Sequence, residues 1–65
     1  MNGKLLKEKR TELRYTVTKL AQLSGVARQT ISEIENGKVT NPKISTIQSI
    51  CEVLEVSPAI FLTAS

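Results

Sequence analysis

Apolar residues recur at helical spacing in nearly every segment of this chain, and helix-breaking residues separate it into about five short pieces. No segment alternates cleanly between apolar and polar residues, as a half-buried strand would. The pattern therefore predicts an all-α fold. The sequence has 65 residues, so we expect a single domain over residues 1–65. A chain this short buries only about 60% of its unfolded surface, and a partner subunit would add stability.

Helix-capping residues predict where the central helices begin and end. Thr16 can cap a second helix, Val17–Ser24, and Gly25 can adopt the left-handed conformation that ends it. A third helix follows almost at once, at about residues 27–36. In isolation the Asn-Gly pair at 36–37 would favour a β-hairpin, but helical periodicity continues to Asn36. We therefore interpret this pair as a helix C-terminus.

Apolar stripes predict which face of each helix points inward. Arg10 lies on such a stripe in the first helix, among leucines. Lys38–Pro42 is expected to be a loop, and Ser57-Pro58 to open a short last helix. The inward residues expected are Leu5, Leu6, Leu13, Leu20, Ala21, Leu23, Ile31, Ile34, Ile44, Ile47, Ile50, Cys51 and Leu54, and the last helix contains Ile60, Phe61 and Leu62.

Charge is unevenly distributed along the chain. Residues 1–19 contain six Lys or Arg and two Glu. Residues 20–43 contain three Lys or Arg and two Glu, and residues 44–65 contain two Glu and no Lys or Arg. A basic N-terminal two-thirds with an acidic remainder fits a nucleic-acid-binding face and an opposite, neutral side. An ordinary solvated surface explains the same distribution equally well.

The third helix has one wholly polar side. At 100° per residue, an arc of about 140° away from Ile31 and Ile34 contains only polar residues, namely Arg28, Ser32, Asn36, Gln29 and Glu33. Arg28, Gln29 and Glu33 in this arc are residue types that match guanine, adenine and the cytosine amino group in the major groove. Taken alone, the arc could also be a plain solvated face. The short connection containing Gly25 favours a helix-turn-helix unit at about residues 17–36, whose second helix protrudes.

The chain resembles the lambda-repressor-like (Xre/Cro-type) helix-turn-helix family of transcriptional regulators over roughly residues 6–62. The resemblance lies in Leu20-Ala21, Gly25-Val26, Thr30-Ile31-Ser32, Ile34-Glu35-Asn36-Gly37-Lys38 and Asn41-Pro42. It implies a compact five-helix DNA-binding domain, a recognition helix in the major groove and, usually, a dimer on a near-palindromic operator. Repression is implied more than activation.

The resemblance also implies roles for individual residues. Arg10 and Glu35 match a family ion pair between the first helix and the end of the recognition helix, and the apolar stripe places Arg10 accordingly. Base contacts are implied for Ala27, Arg28, Gln29 and Glu33. Phosphate contacts are expected for Thr16, Lys19, Thr30, Asn36, Lys38 and Lys43.

Several positions depart from the family pattern. Val17 stands where a phosphate-binding glutamine is common, so we expect that contact to be missing. Lys19 replaces the acidic or amide residue of a capping box, and Ala27 replaces a Ser or Thr cap. Arg14 and Glu55 replace glycines at helix ends. Those ends are therefore expected to be strained or differently shaped.

Other classes of function fit less well. The chain has no histidine and no glycine-rich phosphate loop, so we expect no catalysis, metal, cofactor or small-molecule substrate. Cys51, the single cysteine, fits a buried core residue better than a redox sensor. With no disulfide, membrane-spanning run or signal-peptide core, we expect a cytoplasmic protein. The stronger alternative is an antitoxin or other protein-interaction module with the same fold and a regulatory protein partner.

A homodimer is expected through the last helix and its surroundings. Val56, Ile60, Phe61 and Leu62 crowd a terminus that so small a domain cannot cover entirely. The alternative is that these four side chains complete the core of the monomer.

Overall fold

The fold consists of five helices in the computed structural model, which describes residues 2–62. They are α1 (Gly3–Glu12), α2 (Val17–Ser24), α3 (Arg28–Glu35), α4 (Ile44–Leu54) and α5 (Ala59–Leu62). The described residues contain no strand, so the all-α prediction is confirmed. The bounds of α2 are those predicted, and α3 begins and ends one residue inside its predicted range.

Side chains cap three of the five helices at their N-termini. Asn2 Oδ1 accepts a hydrogen bond from the Leu5 amide at 3.1 Å, and Thr16 Oγ1 accepts one from the Lys19 amide at 3.0 Å. Ser57 Oγ likewise accepts from the amide at the start of α5. Such caps satisfy amides that have no partner within the helix. At α3, Ala27 makes no side-chain cap, as its methyl group requires.

Two helices end at a residue other than glycine in the left-handed conformation. Arg14 after α1 has φ 61°, and Glu55 after α4 has φ 57°. The Tyr15 amide returns to Arg10 O at 3.1 Å, and the Val56 amide returns to Cys51 O at 3.1 Å. This is the six-to-one hydrogen bond of a Schellman ending, which glycine normally supports. Both turns therefore keep the shape that glycine would give, at a conformational cost of roughly 1–2 kcal/mol each.

The core lies between the helices and is formed by nine buried side chains among the described residues. They are Leu6, Leu20, Ile31, Ile34, Ile47, Ile50, Cys51, Leu54 and Phe61. All of them except Phe61 were expected to face inward. Leu5, Ala21 and Ile60 pack against this cluster while remaining partly exposed.

Three expected core residues are instead exposed, and each lies at the edge of its helix. Leu13 is the residue after α1 and is 43% exposed, and Ile44 opens α4 and is 61% exposed. Leu23 is 48% exposed, because it lies about 60° around α2 from the buried Leu20. Helical periodicity correctly predicted the apolar side of each helix. It did not show how far the neighbouring helices cover that side.

The assignment of Phe61 to a dimer interface is wrong. This side chain is 1% exposed and belongs to the core of the monomer. Val56 and Ile60 pack partly against the same core and keep some exposed surface. The side chain of Leu62 lies outside the described part of the structure.

An ion pair joins α1 to the end of α3. Arg10 Nε and Nη2 donate to the two carboxylate oxygens of Glu35 at 2.7 and 2.9 Å, and Arg10 Nη1 donates to Tyr15 O at 2.8 Å. The two side chains are only 10% and 7% exposed. The hydrogen bonds with Glu35 raise the pKa of Arg10, against the opposing effect of burial. Arg10 therefore stays charged inside a largely buried, fully hydrogen-bonded site.

The first turn of α1 also approaches α3 closely at Gly3. A Cβ atom at Gly3 would overlap the carbonyl oxygen of Ile34. Glycine is therefore required by contact with the neighbouring backbone at this point, within an ordinary helix. Together with the ion pair, this contact fixes the last turn of α3 against α1.

We predict that Glu35→Ala destabilises the protein far more than Glu8→Ala. Removing Glu35 leaves the Arg10 charge buried without its partner, which costs about 3–5 kcal/mol at full burial. Glu8 is an exposed residue of α1, and its replacement should change stability by about 0.5 kcal/mol or less. Urea unfolding of both variants measures the difference. Equal midpoints would contradict the burial of this ion pair.

Candidate nucleic-acid interface

The rotation of α3 about its own axis is set by two isoleucines. Ile31 is 0% and Ile34 1% exposed, so this side of the helix faces the core. The opposite side therefore faces outward. Arg28 and Gln29 are exposed there, and Glu33 is half-buried. Amphipathic packing thus turns the polar arc expected from the sequence toward solvent.

One concave surface follows this polar arc, and we call it the recognition groove. It brings together three of the four base-contact candidates and two phosphate candidates. Its lining residues are Val17, Arg28, Gln29, Ser32, Glu33, Asn36 and Lys38. Basic, acidic and amide groups thus share one open surface between the start of α2 and the length of α3.

The end of α3 places Lys38 at this groove. Gly37 is left-handed with φ 77°, and the Lys38 amide donates to Glu33 O at 2.9 Å. The Gly37 amide donates to Ile34 O at 3.2 Å, which completes a Schellman ending. The Asn-Gly pair is therefore a helix C-terminus, as predicted, and the turn brings a lysine back beside the helix.

Ala27 and Thr30 lie in a different concave surface. It is lined by small and hydroxyl-bearing residues from the α2–α3 turn, α3 and the start of α4, namely Ser24, Gly25, Val26, Ala27, Thr30, Ser45, Thr46 and Ser49. The structure therefore separates Ala27 from the other three base-contact candidates. Thr16, Lys19 and Lys43 line neither surface, and all three are exposed.

Hydrogen bonds already order parts of the candidate site. Asn36 Nδ2 donates to Ser32 Oγ at 3.3 Å, which joins two successive turns at the end of α3. The Thr16 hydroxyl accepts from the Lys19 amide as a cap. Because a hydroxyl can accept one hydrogen bond and still donate another, capping is compatible with a phosphate contact at Thr16.

Three residues of this region were missed among the candidate site residues. Ser32 lies within the polar arc, so the helical projection contained the signal. Val17 lines the groove although its side chain can make no polar contact. Thr18 accepts a hydrogen bond from Arg28 Nη1 at 3.4 Å across the two helices. No spacing rule in the sequence indicates this last contact, because it depends on the packing of α2 against α3.

Other kinds of site find little support in the described residues. Within residues 2–62, no group of three or more Cys, Asp or Glu side chains is placed to hold a metal ion. None of the described helices has the length and hydropathy to cross a membrane. Cys51 is buried and unpaired, and burial raises the pKa of its thiol. A raised pKa disfavours the reactive thiolate.

Two curated relatives of this chain are bacterial regulators. The chain is 46% identical over 54 residues to the uncharacterised HTH-type transcriptional regulator RghRB of Bacillus subtilis, and 39% identical over 57 residues to the HTH-type transcriptional regulator SinR of the same organism. These alignments cover 83% and 88% of this chain but 39% and 51% of the relatives. The chain thus spans about half or less of their length.

Solved structures show the same architecture. A crystal structure of SinR, described as the master regulator for biofilm formation, in complex with DNA aligns with a TM-score of 0.91 and 37% identity, over 95% of this chain and 98% of that one. A complex of SinR with the SinI protein aligns with a TM-score of 0.93 and 36% identity, over 98% of this chain and 62% of that one.

A family model described as helix-turn-helix matches residues 6–61, which is most of the chain. The match includes α2, the turn at Gly25 and α3, and therefore every residue that lines the recognition groove. The resemblance inferred from the sequence is confirmed, and the chain belongs to the lambda-repressor-like (Xre) helix-turn-helix family.

Proposed function

We propose that residues 1–65 form a single domain that binds double-stranded DNA sequence-specifically and regulates transcription. One observation supports this most strongly. Burial of Ile31 and Ile34 turns the polar arc of α3 into an open groove that contains Arg28, Gln29 and Glu33 and ends at Lys38. The major groove of DNA accepts a single α-helix and presents a distinct set of donors and acceptors for every base pair.

Base reading is assigned to the first turns of α3. Arg28 is the first residue of the helix, where the fork of its guanidinium can donate to guanine O6 and N7 together. Gln29 can pair with adenine, and Glu33, one turn later, can accept from the amino group of cytosine. Ala27, which lies in the other concave surface, is assigned a contact with a thymine methyl group.

Phosphate binding is assigned to residues that surround the reading helix. They are Thr16, Lys19, Thr30, Asn36, Lys38 and Lys43. Lys19 lies in the first turn of α2, and Lys43 is the N-cap residue of α4. Contacts of this kind fix the register of a protein on the duplex without carrying sequence information directly.

We propose a homodimer that contacts two half-sites, with repression as its usual outcome. Among the described residues, Val56 and Ile60 keep partly exposed surface for this contact, and Leu62 stays a predicted interface residue. A regulatory protein partner is also part of the proposal, because one similar structure is a complex of SinR with SinI. A cytoplasmic location and the absence of catalysis stay predictions.

We predict that selection from random duplexes returns a near-palindromic motif. Two recognition helices related by a twofold axis should read half-sites centred about 34–36 Å apart, which is one turn of DNA. Selection followed by sequencing measures the motif, its symmetry and its spacing together. A half-site alone would contradict the dimer. No enriched sequence and no salt-dependent binding would contradict DNA recognition and favour the protein-interaction module.

We predict that Arg28→Ala and Lys43→Ala fail differently on the selected duplex. Loss of a bidentate contact at Arg28 should cost about 1–3 kcal/mol and relax the preference at one base pair. Lys43→Ala should weaken good and poor sites alike and lower the salt dependence by about one counterion. Titrations with single-base variants at several salt concentrations measure both effects.

Each of these two variants is the control for the other, because both remove one exposed cation. If Arg28→Ala weakened every duplex equally, its role would be to hold phosphate. If Lys43→Ala changed the preference at a base pair, its position beside the backbone would be wrong. Either result would overturn the division of roles while leaving DNA binding intact.

A further inference from the structure

Arg28 is connected to α2 by a hydrogen bond. Its Nη1 atom donates to Thr18 Oγ1 at 3.4 Å. Thr18 is the second residue of α2 and Arg28 is the first of α3, so the contact crosses from one helix of the helix-turn-helix unit to the other. Both side chains are exposed. The contact therefore lies on the surface and not in the core.

The neighbouring residue cannot make this contact. Val17 lines the recognition groove beside Arg28, but its side chain has no hydrogen-bond acceptor. The Thr18 hydroxyl supplies the acceptor from the next position of the same helical turn. Thr18 is therefore the residue of α2 that is placed to restrain the guanidinium of Arg28.

The atoms used at Arg28 leave its reading edge free. A guanidinium has five N–H donors, and the contact with Thr18 uses one of them, on Nη1. The Nε and Nη2 atoms remain as a parallel pair of donors. Arg10 in the same protein shows this arrangement complete, since its Nη1 bonds Tyr15 O while Nε and Nη2 hold the two oxygens of Glu35.

We propose that Thr18 is a positioning residue for Arg28. Its hydroxyl holds Nη1 so that the Nε–Nη2 edge is directed at a base pair before DNA arrives. This inference rests on the proposed DNA-binding function and adds a specificity-determining residue to it. Ordering a long side chain in advance removes part of the entropy cost of binding, which for one such side chain corresponds to about two- to tenfold in affinity.

The test is a double-mutant cycle on the selected duplex. Thr18→Val removes the hydroxyl at nearly constant shape, and Thr18→Ser retains it. Each is combined with Arg28→Ala, and each protein is titrated with the selected duplex and with duplexes changed at single base pairs. Urea unfolding of every variant gives the fraction folded, so that affinities are compared per folded molecule.

The expected result has three parts. Thr18→Val weakens binding to the selected duplex about two- to tenfold and reduces discrimination at the base pair read by Arg28 by a similar factor. Thr18→Ser stays within about twofold of the unmodified protein. In the Arg28→Ala background, Thr18→Val has no further effect, because there is no guanidinium left to position.

Two results would overturn this inference while leaving the proposed function standing. An equal loss on all duplexes that persists with Arg28→Ala would mean that Thr18 contacts phosphate itself. Unchanged affinity and discrimination in Thr18→Val would mean that the hydrogen bond does not matter on DNA. If the unmodified protein bound no duplex, the proposed function would be wrong, and this inference with it.

Discussion

Burial of Ile31 and Ile34 is the constraint on which the candidate site depends. A helix of eight residues can present its polar side usefully only if its rotation is fixed, and two side chains at 0% and 1% exposure fix it. They leave Arg28, Gln29 and Glu33 on the outer surface. The apolar contacts that stabilise this small domain thereby also determine which side chains of α3 face outward and can contact a partner.

The two ends of α3 are held by different means. At its C-terminal end, the ion pair of Arg10 with Glu35 and the close backbone approach at Gly3 fix the helix against α1. Replacing a buried ion pair with apolar residues is often neutral or stabilising in proteins. The contribution of this ion pair therefore lies in the geometry that its two parallel hydrogen bonds impose on the helices. At the N-terminal end, Ala27 provides no cap. The hydrogen bond of Arg28 with Thr18 instead joins that end to α2 on the exposed side.

Much of this arrangement could be predicted from sequence, because it depends on local rules. Capping by Thr16, the end of α2 at Gly25 and the polar arc of α3 each follow from residue types at fixed spacing. The exposed positions of Leu13, Leu23 and Ile44 could not be predicted, because periodicity gives the direction of a side chain but not the extent of the neighbouring helix. Phe61 was misassigned for the same reason. Gly3 and Thr18 gave no signal, since their contacts with Ile34 and Arg28 exist only once the helices pack.

DNA binding along the outer side of α3 can be tested by chemical-shift mapping. The ¹⁵N-labelled protein would be titrated with the selected duplex while amide shifts and arginine side-chain signals are recorded. We expect large changes through the first turns of α2 and α3 and at Lys38, with α5 little affected. Changes concentrated on the acidic side, at Glu52, Glu55 and Val56, with α3 unaffected, would contradict it.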